Sequence, residues 1–176
     1  MKSLLILILL IVLTGSSTTI IAQNATSTNA EVKIVKGLTI KETSALHFGT
    51  MSIPSAPVNV ILTTANIRKA SSPTDITLVT QSPVSENAVY SVSGSDAATY
   101  AISLPVNGTV TISNGSQQMD IVDFVARPLS TGADGTTGIM NASGMDSFTV
   151  GATLKLGNNQ AFGTYTGTFV ISVNYN

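Results

Sequence analysis

The chain has 176 residues, only 10% of them charged, and a net charge of −1. That length suits a single folded domain, and so weak a charge offers no field for nucleic acid or an anionic membrane. There is no cysteine and no tryptophan, so a disulfide framework is excluded and an aliphatic core must supply the stability.

The opening MKSLLILILLIVLTGSSTTIIAQ reads as a secretory signal peptide. Lys2 supplies the positive charge, Leu4 to Leu13 is almost continuously aliphatic, and small polar residues follow. The apolar run is about half of the roughly twenty residues that a membrane span needs. Cleavage is expected after Ala22. The mature chain then starts at Gln23, keeps no integral membrane span, and is exported to the periplasm, the cell surface or the medium. Without Lys2, seven Lys and Arg stand against nine Asp and Glu, a net of −2 (7 − 9).

Residues 23–29 (QNATSTN) are polar and read as a disordered N-terminal segment. Residues 30–176 read as one all-β domain, because apolar residues alternate and Gly, Pro, Asn and Asp punctuate at short intervals. The expected strands are 31–41, 45–52, 58–64, 75–80, 88–93, 100–104, 109–113, 119–126, 147–156 and 165–175. Asn114-Gly115 marks the most secure hairpin, since both residues tolerate positive φ. Residues 130–146 (STGADGTTGIMNASGMD) lack alternation and read as a long exposed loop. The expected architecture is an immunoglobulin-like or pilin-like β-sandwich with Greek-key connections.

Alternation assigns the core faces. Val150, Ala152, Leu154 and Leu156 line one strand, and Tyr100, Ile102 and Leu104 another. At the C-terminal end, Tyr165, Gly167, Phe169, Ile171, Val173 and Tyr175 share a face opposite a mostly polar one. At the N-terminal end the even positions Ala30, Val32, Ile34, Leu38 and Ile40 are apolar, interrupted only by Lys36. One strand over 31–41 would run about 36 Å, long for its kind, so a break near Gly37 is expected.

Residues that carry chemistry are sparse. His47 is the single histidine and there is no cysteine, so a transition-metal site lacks a ligand set and a Ser-His-Asp triad lacks its elbow motif. Asp120 and Asp123 differ in parity and are expected on opposite faces of a strand, a poor acid–base pair. Asp134 and Asp146 fall in the glycine-rich loop without the dense acids of a calcium loop. No phosphate-cradling motif is present. No catalytic residue, cofactor or metal site is assigned.

Several blocks carry a resemblance. LHFGTM at 46–51, VSG at 92–94, YAISLP at 100–105 and FTVGATLKLGNNQAFGTYTGTFVISVNYN at 148–176, with the signal peptide, resemble a family of exported bacterial β-sandwich domains of unknown function. These domains are similar to the major subunits of the common pilus and, more distantly, to chaperone–usher pilins. The resemblance covers nearly all of the mature chain, and its C-terminal block is the most specific part. Chaperone–usher pilins show a penultimate aromatic and a glycine fourteen places from the end, here Tyr175 and Gly163. The resemblance implies a sandwich that lacks one strand, filled by the N-terminal extension of the next subunit. It also implies a periplasmic chaperone as partner. The lack of cysteine departs from many such pilins and is similar to the common-pilus branch.

The expected function is therefore an exported, non-catalytic structural or fimbria-like surface subunit that self-assembles or joins other surface subunits. Its assembly residues would be Val32, Ile34, Leu38 and Ile40 with Gly163, Phe169, Ile171, Val173 and Tyr175. The simpler reading of residues 30–41 and 165–175 is as the first and last strands of a self-complete sandwich. A monomeric secreted binding or adhesion module, taking a carbohydrate or protein on the 130–146 loop, is the second reading. An enzyme or enzyme inhibitor is the third.

Overall fold

A computed structural model describes residues 26–176. The signal-peptide reading lies outside the described residues. The chain divides into a unit at 1–33 and a unit Ile34–Asn176. In the first, residues 26–33 carry no strand and are exposed.

The second unit is an all-β sandwich of two antiparallel sheets. The strands are β1 (Thr39–Ser44), β2 (Val58–Leu62), β3 (Arg68–Ala70), β4 (Ala88–Ser93), β5 (Thr99–Ser103), β6 (Val110–Ser113), β7 (Gln118–Pro128), β8 (Thr137–Ile139), β9 (Met145–Leu156) and β10 (Ser172–Tyr175). Seven form the large sheet, and β10, β5 and β8 form the small one in that order.

The large sheet is organised by β9, whose twelve residues exceed the reach of any single neighbour. Along one edge its first half pairs with β4, from Ser93↔Met145 to Ala88↔Val150. Its second half pairs with β2, from Leu62↔Ala152 to Val58↔Leu156. Gly151 falls at the change of partner. A Cβ there would overlap the Leu62 carbonyl oxygen, so only glycine lets the β2 chain turn away so close to β9. The other edge of β9 carries β7, and β7 carries β6.

Inward positions alternate as the sequence predicts. Val150, Ala152, Leu154 and Leu156 are buried, as are Tyr100 and Ile102. Tyr90 stacks on Phe148 at a centroid distance of 5.1 Å. The hairpin at Asn114-Gly115 forms between β6 and β7, with Gly115 at φ 92°. The Asn114 side-chain oxygen accepts from the backbone N–H groups of Ser116 and Gln117.

Six expectations are corrected. Of the expected strand 165–175 only Ser172–Tyr175 forms, with an isolated bridge at Thr166 before it. Residues 31–38 carry no strand, and the first strand starts at Thr39. Residues 45–52 and 75–80 make only isolated bridges, His47↔Glu86 and Met51↔Leu78, and Gly49 at φ 75° breaks the first segment. β3 is absent from the sequence reading because Arg68-Lys69-Ala70 does not alternate, yet it pairs with β2 across a short turn. β8 lies inside the expected loop, held to β5 by only three residue pairs. Asp120 and Asp123 are both exposed, rather than on opposite faces. One extra residue in β7 bulges between Val122 and Val125, with Asp123 at φ 51°, and resets the alternation.

The close approach at Gly151 sets a test. Gly151→Ala is expected to lower unfolding stability by about 1–3 kcal/mol, because backbone must move to admit the methyl. Gly157→Ala, whose Cβ meets only the Gln160 side chain at 3.6 Å, should stay within about 0.5 kcal/mol in the same urea titration.

Candidate functional site

The C-terminal segment keeps its two-residue period well beyond its four-residue strand. Tyr165, Phe169, Ile171, Val173 and Tyr175 are half-buried, whereas Thr166, Thr168, Val170, Ser172 and Asn174 face solvent. One edge of the segment is paired, with β5 over 172–175 and with β6 through the Ser113↔Thr166 bridge. β10 ends the strand order of the small sheet, so among the described residues its other edge carries no ladder. Gly167 permits the approach to β6, since a Cβ there would overlap the Thr111 carbonyl oxygen. Phe169 reaches across to Phe124 of β7, with ring centroids 5.0 Å apart.

At the 160–169 end of the same segment lies an apolar groove with a cavity volume of about 720 Å³. Residues 45–54 form one wall and Gln160–Gly167 the other. Its floor is the core itself, including Val110, Met119, Ile121 and Leu154. Two large apolar side chains among the lining stay exposed, Phe162 at 89% and Ile53 at 55%.

Each wall is held by polar contacts. The Arg68 guanidinium donates to the carbonyls of Phe48 (2.7 Å), Thr50 (3.0 Å) and Val79 (2.6 Å). Burial among those carbonyls lowers its pKa. Gly49 sits beneath it at φ 75°, which favours glycine, and a Cβ there would lie 2.8 Å from the Ser85 backbone nitrogen. On the far wall the Tyr165 hydroxyl donates to the Ala161 carbonyl at 2.9 Å, and the Gln117 side-chain oxygen accepts from the Ala161 N–H at 2.6 Å. Gly163 enters this wall at φ 142°. The sequence reading missed Arg68; a lone arginine inside a weak strand pattern gives no signal of three carbonyl partners.

The proposed assembly residues divide into three groups. Gly163 and Phe169 line the groove, Ile171 continues the same segment, and Val173 and Tyr175 lie in β10, paired with β5. Leu38 and Ile40 pack on the chain's own core, with Ile40 paired to Val92. Val32 and Ile34 are exposed at 83% and 90%. The Tyr175 hydroxyl donates to the Lys36 carbonyl at 2.8 Å and accepts from the Ser95 N–H at 2.7 Å.

His47 is exposed and bonds Glu86 through backbone only. Among the described residues no three His, Asp or Glu side chains cluster as a metal site. The loop acids are engaged in holding the loop. Asp146 accepts from the hydroxyls of Tyr100 (2.9 Å) and Ser130 (2.6 Å), and Asp134 accepts from Thr64 (2.7 Å).

A family described as "Domain of unknown function (DUF4402)" matches residues 38–175. The chain belongs to this family. No curated protein and no solved structure matches the chain. The DUF4402 domain so delimited opens at Leu38, just after the residue that Tyr175 grips, and closes on Tyr175 itself. The groove, Arg68 and the unpaired edge all fall within it. Val32 and Ile34 precede it.

Two tests address this site. Arg68→Ala should cost about 2 kcal/mol and speed amide exchange across 46–51, because three carbonyls lose a charged donor. Arg68→Lys should rescue the charge but not the exchange rate, lacking the planar fork. The second test concerns pH. Burial pushes the Tyr90 hydroxyl up to about 12, with Glu42 adding to it, and burial with the Asp146 contact raises Tyr100 further. Both pKa values exceed the unfolded value near 10. Stability is thus complete below about pH 10 and falls as pH rises toward 12, since the unfolded chain loses its protons first. Urea midpoints measured from pH 9 to 12 should show that fall, and Tyr100→Phe should flatten it.

Proposed function

We propose that the protein is an exported, non-catalytic structural subunit of a fimbria-like surface assembly, joined by β-strand addition. The observation that carries this reading is the unpaired edge of the C-terminal segment, which borders an open apolar groove at its 163–169 end. An edge strand beside apolar surface invites another chain unless something covers it. A strand added there would gain backbone hydrogen bonds and place alternate side chains in the groove.

The N-terminal alternation is a suitable donor. Val32 and Ile34 share one parity and are exposed, and burying each would contribute about 1.5–3 kcal/mol. An arm on one copy and a groove on the next make a heterologous contact, which grows a filament when it does not close. Residues 1–22, read as a signal peptide, support export to the periplasm, cell surface or medium. The pilin likeness of the C-terminal block, with Tyr175 and Gly163 in place, supports a periplasmic chaperone as an earlier partner of the same edge. The open edge of β10 supports the reading of a sandwich lacking one strand that this likeness implies.

A secreted binding or adhesion module using residues 130–146 has less support. The carboxylates of that loop already accept from Tyr100, Ser130 and Thr64.

The deciding comparison sets residues 23–176 beside 37–176, using unboiled gel electrophoresis and negative-stain electron microscopy. The longer form is expected to give a detergent-resistant ladder and filaments, and the shorter form to stay monomeric. Monomers from both forms, with equal melting points, would rule out strand addition.

A further inference from the structure

The N-terminal alternation is one stripe in sequence, but it is not treated as one strand by the fold. Leu38 and Ile40 are half-buried against the chain's own core, whereas Val32 and Ile34 are exposed. The cut falls at Lys36, the one even position that is not apolar.

Three hydrogen bonds meet there. The Lys36 N–H donates to Ser95 Oγ at 2.8 Å. The Tyr175 hydroxyl donates to the Lys36 carbonyl at 2.8 Å and accepts from the Ser95 N–H at 2.7 Å. Both backbone groups of Lys36 are therefore held, and the tyrosine hydroxyl is used as donor and acceptor at once. The contact is built into the fold, because the hydroxyl sits where a Cβ on Gly94 would be. Gly37 follows immediately, with nothing within 4 Å of a Cβ built on it.

We propose that Tyr175 and Ser95 form a clamp on Lys36 that sets where the chain's own first strand begins, and so commits the preceding residues, with Val32 and Ile34 on one face, to the groove of a second copy. This inference rests on the strand-addition reading and specifies its boundary and direction.

Geometry favours the second copy over the chain's own groove. The clamp is at the Tyr175 end of the C-terminal segment, while the groove wall ends at Gly167 and the adjoining Phe169. Six extended residues separate Phe169 from Tyr175, about 20 Å. From Lys36, an arm running back along that edge toward its own groove would lie parallel to residues 163–175. Every strand pair in the domain is antiparallel. An arm from another copy is free to enter antiparallel, the slightly more stable pairing.

The test uses the full mature chain, 23–176, with Tyr175→Phe, which keeps the ring and removes the hydroxyl, and Ser95→Ala, which removes only the bond to the Lys36 N–H. Timed trypsin digestion of monomer, resolved by mass spectrometry, reads cutting after Lys33 and Lys36. An unboiled gel reads assembly. Wild type should be cut quickly after Lys33 and slowly after Lys36. Tyr175→Phe, which loses the bonds to the Lys36 carbonyl and from the Ser95 N–H, should speed the Lys36 cut by roughly tenfold and shift the ladder toward monomer; Ser95→Ala, which loses one bond, should do both to a smaller degree. Equal cutting at Lys36 in wild type and both variants would overturn the clamp. A faster cut with an undiminished ladder would overturn its role in directing the arm. No ladder from wild type would remove the strand-addition reading and the commitment to a second copy with it, and the cut pattern would still show whether the clamp itself failed.

Discussion

The change of partner along β9 is the constraint on which the domain depends. A twelve-residue strand offers more edge than β4 or β2 can cover, so the two share it end to end. The junction works only because Gly151 has no side chain to strike Leu62. From that junction β1 extends β4 and β3 extends β2, while β7 covers the opposite edge. The bulge at Asp123 then lets β7 follow a strand whose two halves serve different neighbours. Asn107 secures the bulge by bonding both the backbone N–H and the side chain of Asp123.

The small sheet has less to hold it. β8 is three residues long, and β10 pairs over four. Its strength comes from fully buried Tyr100, whose ring lies over Gly138 of β8 and whose hydroxyl reaches Asp146 at the start of β9. One side chain thus joins the two sheets and anchors the 130–146 loop. Nothing comparable finishes the other side. The C-terminal segment is half-buried, paired on one edge and open on the other, with aliphatic and aromatic surface beside it. The polar outward face of Thr166, Thr168, Ser172 and Asn174 limits unspecific association there, because charge or polarity on an edge strand opposes random pairing.

The groove and the Lys36 clamp lie toward opposite ends of this same segment. In the proposed assembly one copy would accept a strand at one end and offer one at the other, and repetition of such a contact is directional. The family match spans residues 38–175, so the groove, Ser95 and Tyr175 are inside the shared domain, while Lys36 and the proposed donor precede it.

Period-two alternation made the all-β class, the faces of β5 and β9 and the Asn114-Gly115 hairpin legible in the sequence, because strand geometry and turn chemistry are local. The half-buried face of residues 165–175 was legible for the same reason. The sequence also placed Val32, Ile34, Leu38 and Ile40 on one stripe. Only the tertiary structure divided that stripe, since the bonds that grip Lys36 come from residues 59 and 139 positions away. Arg68 as the brace of the groove, β3, β8 and the outward turn of Asp123 were likewise decided by partners distant in the chain or by a single bulged residue. Local periodicity states which side chains want to be buried together; which edge is left unpaired follows from the closing of the whole sandwich.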